Sequence, residues 1–467
     1  MTELPLSIVR TDNDKLRIDS GYFAKPMLEA ERRIRAYPSG FDELGMLFSR
    51  FVKGVFDINA ESYTDLGVPF LRILNLRGCV IDDSNLALIP ENIHQAESKT
   101  ELRKREIVLS KTAYPAASLV TLERCNTSQD TIATTLSTYG WSMYFPEAIV
   151  AYLNSSFGEQ LLWRQFQGNV QLHLSLDDGR KVPIPRLGKV FQKKLAQTFE
   201  KASTLRQQAI ADTDQAEQTL LHALGLENWQ PPESLTYSRS SRDAFAAGRL
   251  DAEYFSPRVA ELLNLLNRDG LTIGDIAPAR HKRFTASSSG NFDYIEISGV
   301  RQDGTAISET VSHAEAPSRA TWLVKDGDVI TSTVRPIRRL SALIAPEQDG
   351  FVCSSGFVVL QPKFIPPEVL LTYLRFYPFC ELMDLCTSAS LYPAISEQDL
   401  LNLPVPRIEQ DIQQAIVSAV QSAQASRRRA TELLDAAKRA VEIAIESSEA
   451  AALEFLNAAT EGGLAST

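Results

Sequence analysis

Cysteine, histidine and methionine are all scarce in this chain, at five each in 467 residues. The cysteines (Cys79, Cys125, Cys353, Cys380, Cys386) are odd in number and include no C-x-x-C pair, which argues against a disulfide framework and against a structural zinc site. Buried free thiols in a reducing cytoplasm are expected instead. The histidines (His94, His173, His222, His281, His313) have no metal-ligand spacing, and H-E-x-x-H is absent. No apolar run reaches the roughly 18 residues that a membrane-spanning helix needs. The opening Met1-Thr2-Glu3-Leu4-Pro5-Leu6 has neither a basic n-region nor an apolar core. Neither a signal peptide nor an anchor is expected, and the expected location is cytoplasmic.

A basic excess is missing too: 48 Lys and Arg face 58 Asp and Glu, for a net charge of −10. That weighs against nucleic-acid binding through overall charge, although phosphate contacts need only a local basic face. Part of the acidity (Glu432, Asp435, Glu442, Glu446, Glu449, Glu454) falls on one predicted helix, as a solvated face. Catalytic signatures are absent as well. There is no G-x-x-x-x-G-K-[ST], no G-x-G-x-x-G on a strand–helix turn and no [DN]-P-P-[FY]. The chain reads as a binder of a ligand and not as an enzyme.

What is present is a duplication. Arg17-Ile18-Asp19-Ser20-Gly21-Tyr22-Phe23 returns as Arg249-Leu250-Asp251-Ala252-Glu253-Tyr254-Phe255, a shift of 249 − 17 = 232. Val182-Pro183-Ile184-Pro185-Arg186 returns as Leu403-Pro404-Val405-Pro406-Arg407, a shift of 403 − 182 = 221. Between them, Glu106-Ile107-Val108-Leu109-Ser110 answers to Asp328-Val329-Ile330-Thr331-Ser332, Tyr152-Leu153 to Tyr373-Leu374, and Leu174-Ser175 to Ile395-Ser396. A period this long is a repeated domain and not a solenoid. Two copies of one module suit a ligand with two similar halves, such as double-stranded DNA.

Each copy has two textures. The first mixes short β-branched and aromatic runs, such as Tyr294-Ile295-Glu296-Ile297 and Gly356-Phe357-Val358-Val359-Leu360, with turn residues, and adds helical stretches near 147–164 and 367–386. It predicts an α+β module. The second begins after each Pro-x-Pro-Arg. Phe191, Leu195, Phe199, Ala202, Leu205 and Ala209 draw one apolar stripe. Ile412, Ile416, Ala419, Ala423, Ala430, Leu433, Ala437, Val441 and Ala444 draw another, in a stretch from 408 to 457 free of proline and glycine. These predict helices on the order of 55 and 75 Å long, ending at Gly225 in the first case, and too long to hide their stripes against one module. They are expected to pair as an antiparallel coiled coil. The predicted layout is an N-terminal segment (1–16), a first module (17–185), a long helix (186–226), a linker (227–248), a second module (249–406), a second long helix (407–457) and a tail (458–467).

Polar residues suited to DNA cluster at corresponding places in both copies. In the second module they are Arg280, His281, Lys282 and Arg283, then Ser298, Arg301 and Gln302, then Thr331, Ser332, Thr333, Arg335, Arg338 and Arg339. In the first they are Arg72, Asn75 and Arg77, then Arg103, Lys104 and Arg105, then Ser110, Lys111, Thr112 and Tyr114. Arg and Lys can hold phosphates or guanine, and Asn and Gln can pair with adenine. The bland alternative is a solvated surface. A further pair of loops, with Gln167 and Asn169 in one copy and Ser390 and Tyr392 in the other, reads equally as turn chemistry. The repeated Arg-x-Asp-x-x-Tyr-Phe is expected to be structural, an ion pair seating each module on the helices.

Taken in order, these pieces closely resemble the specificity subunit of type I restriction–modification systems, from Arg17 to about Glu446. The resemblance rests on the repeated Arg-x-Asp-x-x-Tyr-Phe, on Gly67-Val68-Pro69-Phe70-Leu71-Arg72 with Asn75 and Gly78, on Gly327-Asp328-Val329-Ile330, and above all on Leu403-Pro404-Val405-Pro406-Arg407-Ile408-Glu409-Gln410 leading into a long helix. It implies two target-recognition domains, each reading one half of a split DNA sequence, with two long antiparallel helices as a ruler between them. It also implies no catalysis and no cofactor on this chain. The implied partners are two copies of an adenine-N6 methyltransferase subunit carrying S-adenosylmethionine, which flips the target base, and a translocating nuclease subunit as an optional addition. Three departures stand out. Leu187-Gly188-Lys189 lacks the Glu-Gln of the second copy, which leaves the first helix start less secure. Arg335 replaces the family's glycine in the loop after the central strand, and the tail beyond Glu446 is long and alanine-rich. Rival readings are a specificity subunit of a methylation-linked phage-defence system, an interaction scaffold built on the helices, and a nuclease with an unrecognised site.

Overall fold

The computed structural model describes residues 21–55, 58, 62–168, 172–227, 229–230, 234, 236–248, 250–387 and 393–462. The chain divides into two compact units, one of residues 1–206 with 427–467 and the other of residues 207–426. Each unit therefore holds one copy of the repeat and a part of both long helices.

In the first unit the strands are β1 (Phe41–Glu43), β2 (Phe48–Lys53), β3 (Val68–Leu71), β4 (Ala87–Ile89), β5 (Leu102–Arg103), β6 (Ile107–Ser110), β7 (Ala117–Leu119), β8 (Arg124–Thr127), β9 (Thr131–Leu136), β10 (Phe166–Gln167), β11 (His173–Leu174) and β12 (Pro183–Pro185). They form sheets in the orders β2-β9-β6-β7 and β4-β3-β8-β5, with β1-β12 and β10-β11 as small ribbons. The second unit carries β13 (Asn291–Ile295), β14 (Glu309–Ser312), β15 (Ala320–Leu323), β16 (Val329–Ser332), β17 (Ser341–Leu343), β18 (Val352–Ser354) and β19 (Phe357–Leu360). Its sheet orders are β17-β16-β19 and β14-β13-β18-β15. The second order repeats β4-β3-β8-β5 strand for strand, down to one parallel pair, β3 with β8 and β13 with β18. The central strands β6 and β16 are buried at every residue, so they read as short continuous apolar or small-residue runs, not as alternating ones.

The repeated landmarks do the same job in each copy. Tyr152 and Tyr373 are fully buried, and their hydroxyls donate to the carbonyls of Pro183 (2.6 Å) and Pro404 (2.8 Å). Ser175 and Ser396 cap short helices by accepting from Asp178 N and Asp399 N, each at 3.0 Å. Gln192 and Gln413 donate back to Leu187 O (2.6 Å) and Ile408 O (2.8 Å) as the long helices begin. The four buried cysteines are free, as is the half-buried Cys386. Burial pushes the thiols of Cys79, Cys125, Cys353 and Cys380 up to about 12.

The long helices run from Lys189 to Leu224 and from Gln410 to Glu446. Gly225, in a left-handed conformation (φ 71°), follows the first. In the first unit Phe191, Leu195 and Phe199 enter the module core together with Val441 and Ala444, and Ala202 meets Ala430 and Leu433. In the second, Ala216 and Leu220 join Ile416 and Val420 in the module core, and Ser422 donates to Asp212 at 2.7 Å. Within each unit, rising numbers on one helix meet falling numbers on the other, so the segments are antiparallel. Both predicted stripes are buried except at half-buried Leu205, Ile412 and Ala419, but much of each is covered by module side chains and not by the other helix.

Two expectations need correction, and a third falls outside the described residues. The second helix does not continue to 457. It stops at Glu446, and Ser448, extended at φ −163°, caps a separate helix, Glu449–Glu461, because a serine hydroxyl competes well for free backbone N–H groups. This last helix buries Ala452, Leu456 and Ala459 in the first unit's own core. The start of the first long helix is also not insecure. The Glu449 carboxylate accepts from Gly188 N and from the Tyr37 hydroxyl, both at 2.8 Å, and an acid there favours the helix dipole. Finally, Arg17, Asp19 and Arg249 lie outside the described residues, so the expected seating ion pair does too. Within the described part of that motif, Tyr22–Phe23 and Tyr254–Phe255 form edge-on pairs, with Arg164 lying 4.2 Å over the Tyr22 ring. No helix among the described residues is long and apolar enough to cross a membrane.

Candidate nucleic-acid interface

The turn entering each central strand needs a left-handed residue. Gly327 supplies it in the second copy (φ 79°) and Arg105 in the first (φ 70°). The next residue is acidic in both copies, and an arginine from an earlier segment locks it. Arg280 grips Asp328 through two bonds of 2.7 and 3.0 Å, and Asp328 is also bonded by Lys325 N. Arg50 grips Glu106 through two bonds of 3.1 Å, and Glu106 also takes Arg103 N. This corrects the reading of Arg280: its guanidinium is committed to a buried aspartate and builds the turn. Arg50 was missed because it stands apart from any basic cluster. The run Arg103, Lys104, Arg105 is likewise paired, to Glu101 (2.7 Å), Glu123 (2.9 Å) and Glu147 (3.1 Å). Its positive charge is locally neutralised, although Arg103 and Lys104 remain on the surface.

The neighbouring groups in the second copy differ. His281 pairs with Glu397 at 2.7 Å. Lys282 is exposed with no ion pair among the described residues, and exposed Arg283 lies 5.4 Å over the ring of Trp322. Beside them Phe284, Phe292 and His313 pack together, with centroids 4.5–5.6 Å apart. That aromatic patch carries no alternating pattern that would have marked it in the sequence.

The loop leaving each central strand is where the copies agree most closely. Ala113 (φ 64°) and Arg335 (φ 50°) are both left-handed non-glycines, a conformation that costs about 1 kcal/mol or more. Ala113 N donates to Leu172 O at 3.2 Å, and Arg335 N to Pro393 O at 2.9 Å. Leu174 N bonds Lys111 O (2.8 Å), and Ile395 N bonds Thr333 O (3.0 Å). These bonds tie the central-strand loop of each copy to the later loop nominated from sequence. Of the later loop, Gln167 is exposed and donates to Asp178 at 2.9 Å, whereas Asn169, Ser390 and Tyr392 lie outside the described residues. Several nominated hydroxyls prove internal. Ser110, Thr112, Thr331 and Ser332 are at most 5% exposed. Ser110 accepts from Ala116 N (2.8 Å), Thr331 bonds Ser341 (2.7 Å), and Ser332 bonds Val334 N (3.2 Å). Ser110, Thr331 and Ser332 are corrected to supports of the loop, and Thr112 is set back from the surface by its burial, since a side chain enclosed by protein is not presented to a base. Half-buried Thr333 donates to Gly356 O at 3.1 Å. Lys111 is half-buried and its pKa is lowered, first by burial and then by Lys53. Tyr114 donates to Ile73 O at 3.0 Å, and burial raises its pKa.

A third group lies past the first strand of the parallel pair. Asn75 is fully buried and bonds Arg72 N, Asp82 O and Asn85 O at 2.9–3.2 Å. It is corrected from a base reader to the pin of its loop. Arg72 donates to Asn85 O and faces Tyr63, and Arg77 is exposed. In the second copy Ser298 bonds Glu296 at 3.0 Å, and Gln302 reaches Arg338 O at 3.4 Å. Arg301 and Arg338 are exposed, while Arg339 pairs with Glu217. Buried Arg375 lies behind this group. Of the nominated cationic residues, Arg77, Lys282, Arg283, Arg301 and Arg338 are exposed with no ion pair to a carboxylate among the described residues.

No family model matches the chain, and no curated protein does. Among solved structures the chain is similar to the S subunit of a type I restriction–modification system from M. genitalium, at 12% identity over 90% of this chain and 96% of that one, with a TM-score of 0.37. It is similar to the HsdS subunit from Thermoanaerobacter tengcongensis, at 15% identity over 91% and 98% of the two chains, with a TM-score of 0.26. It is also similar to a chain from a structure of type I R-M complex assembly and conformational transition, at 16% identity over 92% and 99%, with a TM-score of 0.27.

Proposed function

We propose that this chain is a non-catalytic DNA-specificity subunit of a type I restriction–modification system, in which each module reads one half of a bipartite, asymmetric target. The observation that carries the reading is the pair of strained loops after β6 and β16. Both copies hold a costly left-handed non-glycine and its cross-loop bond, and such strain clusters at binding sites. The side chains presented around the loops differ between copies, which suits two different half-sites. Exposed arginines and lysines grip phosphates, and loop side chains read base edges. Two adenine-N6 methyltransferase subunits, holding S-adenosylmethionine, are the partners in this reading, and a translocating nuclease subunit is an optional third. The long helices set the unread gap, and a heptad added to both, about 10 Å, widens it by about three base pairs at 3.4 Å each.

The test is single-molecule sequencing of adenine methylation in cells that express the chain with its neighbouring methyltransferase, against cells lacking only this chain. A split motif that disappears on deletion is the expected result. Methylation that persists unchanged, or never appears, overturns the reading and favours the scaffold, towards which the net charge of −10 leans.

A further inference from the structure

Arg375 ends the helix Pro367–Arg375 and is 4% exposed, yet among the described residues no carboxylate lies within ion-pair distance of it. Burying an unpaired guanidinium is unfavourable unless its donors are used. Here they are used on backbone carbonyls. One terminal nitrogen donates to Arg339 O (2.9 Å), Ser341 O (3.3 Å) and, at the limit, Arg301 O (3.5 Å), and the other to Gln302 O. The Arg375 carbonyl in turn accepts from Arg339 Nε at 2.5 Å. Burial, and the neighbouring Arg339, push its pKa down to about 10, which leaves it cationic at neutral pH.

The four carbonyls belong to two separate loops, 301–304 and 336–341, and these carry Arg301, Gln302, Arg338 and Arg339. Among the described residues the two loops are hydrogen-bonded directly through Gln302 to Arg338 O (3.4 Å), and Gly304 O accepts from Leu343 N of β17 (3.1 Å). At Gly304, left-handed at φ 81°, an added Cβ would stand 3.0 Å from Leu371 and 3.5 Å from Arg375, so the loop is drawn tightly onto the arginine. In the first copy the same place, 221 residues earlier, holds Asn154. Among the described residues its amide reaches Ala117 O (2.6 Å), the counterpart of Ser341 O, and otherwise only Val150 O in its own helix (2.8 Å). The shorter side chain engages one strand end and no second loop.

We propose that Arg375 is a positioning residue that fixes the register of the two recognition loops of the second module, and so sets the specificity of one half-site alone. A planar fork with five donors on three nitrogens can satisfy carbonyls from two loops at once, whereas lysine's three donors radiate from a single nitrogen and reach fewer of them. The inference rests on the DNA-reading function proposed above.

The test uses the full chain with Arg375→Lys and Arg375→Asn, in two arms. In amide hydrogen exchange, the loops 301–304 and 336–341 are expected to exchange ten-fold faster or more in Arg375→Asn, with Arg375→Lys intermediate and β16 unchanged. In cells with the methyltransferase, the methylated motif is expected to become degenerate in one half and to stay intact in the other. A wild-type chain that directs no motif, with the exchange effect present, sinks the DNA-reading function while leaving the clamp itself. A wild-type motif that both variants keep in full, or that degrades equally in both halves, overturns the proposal. If Arg375→Asn speeds exchange at β16 as well, it is a folding defect, and Arg375→Lys, which keeps charge and bulk, decides alone by the same motif criterion.

Discussion

Replacing Arg280 with alanine separates building from binding. The side chain makes two bonds to Asp328, whose own side chain is 3% exposed against 22% for Arg280. Without Arg280 the carboxylate stays buried with Lys325 N as its remaining partner. Removing one member of a buried pair costs about 3–5 kcal/mol, and the partial exposure of Arg280 brings the expectation to about 2–3 kcal/mol. For a unit of some 220 residues this lowers the melting temperature by about 5–10 °C. The equivalent Arg50→Ala removes longer bonds from a more exposed glutamate, 16% exposed, and should cost about 1–2 kcal/mol. Calorimetry on the full chain, with hydrogen exchange at Val329–Ser332, reads the loss directly. DNA affinity measured at several salt concentrations supplies the contrast. Lys282→Ala should lower the slope of log affinity against log salt by about one and shift stability by less than about 0.5 kcal/mol. If Arg280→Ala melts like wild type and lowers that slope instead, then Arg280 is a phosphate contact, and its placement here as a structural residue is wrong.

Tyr152→Phe and Tyr373→Phe should each cost about 1–2 kcal/mol, because each strips a buried proline carbonyl of its donor; chemical denaturation showing either to be neutral refutes the shared role of the two tyrosines. The Arg186 guanidinium, and then the Tyr139 and Tyr144 hydroxyls, hold the Asp42 carboxyl below the ordinary range. Its stabilisation is therefore complete above about pH 4, the unfolded value, and is lost as pH falls through the depressed folded value. Asp42→Asn should flatten the acid limb of the stability profile, and two identical acid limbs would argue against the pairing. Alkylation at pH 7.5 should label Cys386 first, because burial keeps the other four as thiols; equal labelling of all five in the folded chain contradicts that burial.

The sequence by itself determined the duplication, the α+β modules and the two long helices. Each depends on local or periodic signals. Tyr152 and Tyr373, Ser175 and Ser396, and the Pro-x-Pro strands occupy the same register in both copies because the same short-range geometry requires the same residue. Apolar stripes likewise declare a buried helix face whatever covers it. What covers it was decided only in three dimensions, where module cores share the stripes with the partner helix and Ser448 turns the last helix back onto its own unit. The candidate site was legible as clusters but not as roles. A serine, asparagine or arginine has the same letter whether it faces solvent or satisfies a neighbour. Arg280, Asn75 and Ser110 are spent on Asp328, on their loop and on Ala116 N, partners up to 48 residues away. Arg375 showed nothing in the sequence, since its value lies in carbonyls brought to it from 34 to 74 residues off, and only the packing of two loops onto one helix end creates that demand.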